Sequence, residues 1–153
     1  MQVERKLEQL GLSLPEPAKP TASFMPCVRD GRYVYLSGHG PFRNGMPLYV
    51  GRVGDELTEQ QAYEAARECA LALLATLKAE IGDLDRVERI IKVLGFVSSA
   101  PGFCRQPWVL NGASDLFVAL YGERGKHARS AIGTNQLPLN IPVEIEMVVR
   151  VSE

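Results

Sequence analysis

The sequence predicts an α+β domain built on one sheet, with helices packed against one of its faces. Three observations predict it. A long apolar stripe recurs at three- and four-residue steps behind Thr58. The run Val87–Val97 is apolar on both alternation sets. Strand-like segments flank two helical ones in the order ββ(β)αβαββ. A length of 153 residues suits one compact core, and 46% apolar with 23% charged residues is the composition of an ordinary globular chain.

Residues 1–21 stand apart as an N-terminal arm, with residues 22–153 as the single domain. Val3, Leu7, Leu10 and Leu12 suit a short helix, which has to stop before Pro15, Pro17 and Pro20. Ser23–Val28 and Tyr33–Ser37 are β-prone runs around Arg29-Asp30-Gly31-Arg32, whose Asp-Gly pair signals a hairpin. Gly38–Pro41 and Asn44-Gly45 mark loops. Thr58 and Gln61 have the spacing of a capping box, and Gly82 stands where the helix behind them should end. The run Val87–Val97 reads as a central strand buried on both faces. A second helix is expected from about Pro107 to Tyr121, with Gly122 as its stop, followed by strands at about Ala128–Thr134 and Val143–Val151.

In the last strand Val143, Ile145, Met147, Val149 and Val151 share a face opposite Glu144, Glu146, Val148 and Arg150. In the central strand Ile90, Leu94 and Phe96 make the second face apolar as well. Two helices cover only one face, so the remaining surface calls for a partner subunit.

Charge and cysteine content exclude several classes of function. Lys plus Arg total 17 against 18 Asp plus Glu, a net charge of −1, without the basic surplus that phosphate contacts need, so nucleic acid is not an expected partner. No apolar run reaches the roughly 18 residues of a membrane helix, so no membrane partner is expected. Cys27, Cys69 and Cys104 are scattered and odd in number, which fits a reducing compartment and a cytoplasmic protein. His39 and His127 are the only histidines, too few for a recognisable metal set, so neither metal nor cofactor is expected.

Arg129 and Glu144 are the candidates for chemistry. An arginine at a strand start offers a planar fork suited to a carboxylate. Glu144 and Glu146, two positions apart on a strand, share a face, and like charges so placed can raise one pKa toward the range of general acid–base work. On spacing alone, a surface arginine and solvated glutamates on an edge strand account for the same pattern. His39, in a Gly-flanked loop after a strand, could line a cleft or be a hydrogen-bonded structural histidine. Cys69 reads as a buried thiol, Cys104, before a helix start, as a buried or a reactive one, and Trp108 as a packing anchor.

Ser37-Gly38, the long helix with Gly82 and Leu84, Ala128-Arg129-Ser130-Ala131, Leu137-Pro138 and Val143-Glu144-Ile145-Glu146 agree in order and spacing with one family. Over about residues 22–150 the chain resembles the reactive-intermediate (imine/enamine) deaminase superfamily, the YjgF/YER057c/UK114 or endoribonuclease L-PSP-like family. The resemblance implies a chorismate-mutase-like fold, a homotrimer whose sheets form a central barrel, and small-molecule clefts between subunits. It implies hydrolysis of 2-iminobutanoate- or 2-iminopropanoate-like acids to 2-oxo acids and ammonia. Arg129 would bind the substrate carboxylate and Glu144 would orient or activate water, with Phe24 and Ala131 in the same substrate site. Asn111 matches a family asparagine near the cleft and equally suits a polar residue of a helix N-terminal turn, and His39 joins the substrate-site candidates by its loop position. His127, Gly133 and the insert-like Phe42–Pro47 look like features of a divergent branch, and Phe24 stands where the best-known deaminases have tyrosine and Ala131 where many relatives have cysteine. They leave a second reading open, a non-catalytic, regulatory trimer that binds small carboxylates.

Overall fold

The computed structural model describes residues 1–153. Five strands form the main sheet: β1 (Cys27–Asp30), β2 (Tyr33–His39), β5 (Val87–Ser98), β6 (Ala128–Thr134) and β7 (Val143–Val151), in the order β1-β2-β7-β5-β6. All neighbours are antiparallel except β5 and β6, so the sheet is mixed. A short hairpin, β3 (Phe42–Arg43) with β4 (Met46–Pro47), stands beside it. The expected loop at Asn44-Gly45 is its turn, where both residues take positive φ (53° and 74°), as a two-residue hairpin requires.

Helices α2 (Glu59–Ile81) and α3 (Gln106–Tyr121) cover one face of the sheet. The capping box forms as the spacing predicts: Gln61 N–H donates to the Thr58 hydroxyl while the Gln61 side chain accepts from Thr58 N–H. The two helices touch closely because Gly112 lies against α2. A Cβ there would stand 2.0 Å from the Tyr63 carbonyl oxygen, so only glycine permits the contact.

The first segment is a third helix, α1 (Gln2–Gln9), whose Val3 and Leu7 join the core. Eight residues are too few to hold a helix alone. Asp85 caps it from across the chain, accepting from the N–H groups of Gln2 and Val3 and from the Met1 amine. These donors pull the Asp85 carboxyl down to about 2, the Met1 amine contributing most. Beyond α1 the chain runs back over α2, where Ala18 N–H donates to the Thr76 hydroxyl.

The pattern departs from expectation in three places. The first strand begins at Cys27 rather than Ser23: Pro26 has no N–H for a ladder, and the Met25 carbonyl accepts from the Ser37 hydroxyl instead. Ile90 belongs to the helix-covered face. Register shifts between Val87 and Arg89 and between Ile90 and Lys92 reset the alternation, so the open face at the centre of the sheet carries Leu94, Phe96 and Val148 without Ile90. Cys104 is exposed, because it lies in the turn before α3. No helix is long and apolar enough to cross a membrane.

Candidate functional site

Arg129 lies on β6, an edge of the sheet, paired in register with Val93. Val93 is a core residue, so the side of β6 that carries Arg129 and Ala131 faces the helices. There α3 takes hold of the guanidinium. Its Nη1 donates to Asn111 Oδ1 at 2.9 Å and Ser114 Oγ at 3.1 Å, and its Nη2 to the Pro107 carbonyl at 3.3 Å. Asn111 and Ser114 are three residues apart and share one face of α3. A guanidinium has five N–H donors, so two remain, one on Nε and one on Nη2.

Ser114 also meets His127 Nε2 at 2.9 Å, and His127 Nδ1 meets the Gly125 carbonyl at 2.7 Å. Burial, above all, holds the His127 pKa below the ordinary histidine value, and the charges of Arg129 and Arg89 lower it further. Farther along β6, Gln106 donates to Ser99 Oγ and to the Phe103 carbonyl, beside Gly133.

Glu144 is elsewhere. It pairs with Phe96, one alternation away from Val93, so it projects from the opposite face of the sheet to Arg129. The register of β2 and β7 shifts between Leu36 and His39, and Gly38 lies in that irregularity. A Cβ on Gly38 would stand 2.8 Å from a Glu144 carboxylate oxygen, so the missing side chain makes room for the carboxylate. Burial raises the Glu144 pKa, with Glu146 adding to it. Phe24, 58% exposed, lies just before Met25, whose carbonyl accepts from the Ser37 hydroxyl.

Within one chain the predicted residues therefore fall into two groups. Arg129, Asn111 and Ala131 come together on the helix side of the edge strand. Glu144 stands with Gly38 on the open face, and Phe24 lies near Ser37. His39 joins neither group. It is buried between β2 and α2, with Nδ1 on the Ser37 carbonyl at 2.6 Å and Nε2 on Thr76 Oγ1 at 2.8 Å, and burial lowers its pKa. These are the hydrogen bonds that the structural one of its two sequence readings calls for. Ser114, the residue linking α3 to both Arg129 and His127, is absent from the predicted set. The signals for it are local: the Asn111–Ser114 spacing on a helix and the His127–Arg129 spacing at the entry to a strand. No three His, Cys, Asp or Glu side chains gather in a metal-holding group.

The family profile described as "YjgF/chorismate_mutase-like, putative endoribonuclease" matches residues 4–150, and the chain belongs to that family. The match takes in most of the N-terminal arm as well as the domain. Protein TCP17 of Trypanosoma cruzi is 39% identical over 151 residues, covering 98% of this chain and 94% of TCP17. The crystal structure of Atu1372, a protein with unknown function from Agrobacterium tumefaciens, is 40% identical with a TM-score of 0.93, over 98% of this chain and 92% of that one. RidA from the Antarctic bacterium Psychrobacter sp. PAMC 21119 is 26% identical with a TM-score of 0.61, over 89% of this chain and 94% of RidA.

Proposed function

We propose that this chain is a deaminase that hydrolyses 2-imino and 2-enamino acids to 2-oxo acids and ammonia without metal or cofactor, as a homotrimer with its clefts between subunits. The observation that carries the reading is the Arg129 guanidinium, held by α3 with two N–H groups left over. Two donors on a fixed planar fork match the two oxygens of a carboxylate.

The placement of the two groups supports the assembly. A cleft that needs both Arg129 and Glu144 has to take one from each of two chains, because they leave a single sheet on opposite faces. The open face supplies a reason to associate, with Tyr35 exposed and Leu94, Phe96 and Val148 half-buried. Three copies around an axis satisfy a head-to-tail contact of this kind and close it.

In the reaction, the carboxylate seated on Arg129 fixes the imine carbon. Glu144 takes a proton from water as the oxygen attacks that carbon, and the C=N double bond becomes a C–N single bond. That proton passes to nitrogen, giving an amino alcohol; the hydroxyl proton then follows it to nitrogen, the C–N bond breaks, and ammonia leaves as the carbonyl forms. A carboxylate whose pKa burial raises is a stronger base for the first step than an exposed one. Cys27, Cys69 and Cys104 are all free thiols, in keeping with a cytoplasmic setting. The word endoribonuclease in the family description is the less supported reading, because a net charge of −1 provides little to hold a phosphate backbone.

Phe24 and Ala131, in place of the tyrosine and cysteine of better-known relatives, favour a second reading, a carboxylate-binding regulatory trimer. One experiment separates the two. An amino-acid oxidase or a pyridoxal-phosphate dehydratase generates the imine, and 2-oxo acid release is followed with and without the protein. The expected result is faster release, lost in Arg129→Lys. Unchanged release for every chain length tried, with pyruvate still bound, would establish the binder instead.

A further inference from the structure

Ser114 sits in the middle of α3, where a serine hydroxyl ordinarily bonds back to its own helix. Here it is turned outward between His127 Nε2 at 2.9 Å and Arg129 Nη1 at 3.1 Å. The donors along this chain can be assigned from its ends. The Gly125 carbonyl can only accept, so His127 Nδ1 carries the hydrogen. In the neutral ring Nε2 is then an acceptor, and the Ser114 hydroxyl donates to it. That leaves a Ser114 lone pair facing Arg129, which can only donate. Every group in the chain is satisfied in one arrangement.

We infer that His127 and Ser114 are positioning residues for the carboxylate anchor: neutral His127 orients the Ser114 hydroxyl, and the hydroxyl holds the Arg129 fork in its binding attitude. This rests on the reading of Arg129 as the carboxylate anchor. A proton on His127 Nε2 reverses the local polarity. Ser114 would then receive hydrogens from both sides, its own hydrogen would lose its acceptor, and two cations would face each other across one oxygen.

The surroundings offer the imidazolium no compensation. From α3, Ser114 and the edge-on Phe117 ring face His127; from the turn before β6, the Gly125 carbonyl; from β6, Arg129; and from β5, Arg89. Glu123 on that turn is paired with Lys126 and is exposed. The site should therefore weaken on acidification while a simple 2-oxo acid stays ionised. Protonation of Glu144 acts in the opposite sense, since it removes a negative charge from the neighbourhood of the ligand.

The test is calorimetric titration of pyruvate into the intact protein from about pH 7.5 to about pH 5, for the parent, Ser114→Ala, Ser114→Thr and His127→Gln. The parent should lose affinity through one protonation step below the ordinary histidine value. Ser114→Ala should bind roughly three- to tenfold more weakly at neutral pH and lose that step, as one hydrogen bond to a charged group is removed. Ser114→Thr, which keeps the hydroxyl, should retain both the affinity and the step, and His127→Gln should lose the step. A step that persists in Ser114→Ala or His127→Gln, or that vanishes in Ser114→Thr, overturns the inference. The Arg129 Nε resonance in NMR provides a readout that needs no ligand. It should titrate with His127 in the parent and in Ser114→Thr, and stay flat in Ser114→Ala. If Arg129→Lys binds pyruvate as well as the parent, the anchor reading fails, and the NMR titration alone decides whether Ser114 couples His127 to Arg129.

Discussion

The surroundings of His39 and of His127 are built alike and do different work. Each ring places Nδ1 on the carbonyl two residues earlier, at 2.6 Å from Ser37 and 2.7 Å from Gly125. Each places Nε2 on a helix hydroxyl, at 2.8 Å from Thr76 and 2.9 Å from Ser114. The difference lies in what the hydroxyl accepts next. Thr76 receives the neutral backbone N–H of Ala18 and so fastens the N-terminal arm, whereas Ser114 receives a guanidinium that keeps two donors free. The same hydrogen-bond logic serves the fold at one place and, on the proposed function, a carboxylate anchor at the other, and the residue beyond the hydroxyl decides which.

The largest effect that follows is at Arg129. Arg129→Lys keeps the charge and loses the fork. It should cost about 1.5–3 kcal/mol, roughly ten- to a hundredfold, in pyruvate affinity and in kcat/KM. Next is Thr76→Val, which leaves His39 Nε2 and Ala18 N–H without their partner. Urea unfolding should show a loss of about 1–2 kcal/mol with pyruvate affinity unchanged, the mirror image of Ser114→Ala. If Thr76→Val weakened pyruvate binding as much as Ser114→Ala does, the two histidines would not be separable in function.

Gly38→Ala should lower kcat more than it lowers the melting temperature, because the group it displaces is the far end of the Glu144 side chain. Glu144→Gln should share that signature, lowering kcat more than it weakens pyruvate binding. The smallest effect is that of pH on stability. Both histidines have lowered native pKa values, so below their ordinary value the unfolded chain binds protons that the native one refuses. Stability is complete above the unfolded pKa and falls as the pH drops toward the native values. Thermal melts between about pH 7.5 and about pH 5.5 should show the decline.

Local signals made the helices and the last strand legible. The capping box at Thr58 and the strict alternation from Val143 to Val151 are both realised. Regions where backbone irregularity overrides a period were not legible. The shifts near Arg89 and Lys92 turned Ile90 inward, and the chain at Met25-Pro26 spent its polar groups on Ser37 rather than on a ladder. Asn111 and Arg129 could be found from motif order. Ser114 was harder to find: the Asn111–Ser114 spacing puts it on the right helix face, but its contact with His127 depends on which way the Gly125 carbonyl points, a property of a turn. His39 has the same sequence surroundings as a cleft residue, glycine on either side, and only its burial against Thr76 reveals its structural role.

The order of the sheet has a consequence for how the chain is made. β7, synthesised after every other strand of the sheet, lies between β2 and β5 and is the sole bridge between the β1–β2 hairpin and the β5–β6 pair. Until residues 143–151 leave the ribosome, the nascent chain can hold only two separate half-sheets. The apolar backs of these, Val34 and Leu36 on one and Val93 and Val97 on the other, then meet only through the helices, without the strand that completes their shared core. Folding therefore waits on a long-range pairing, and the delay exposes adhesive surface during translation. A chain arrested before Val143 should be a client for chaperones and proteases, whereas the same chain with nine more residues should be released from both.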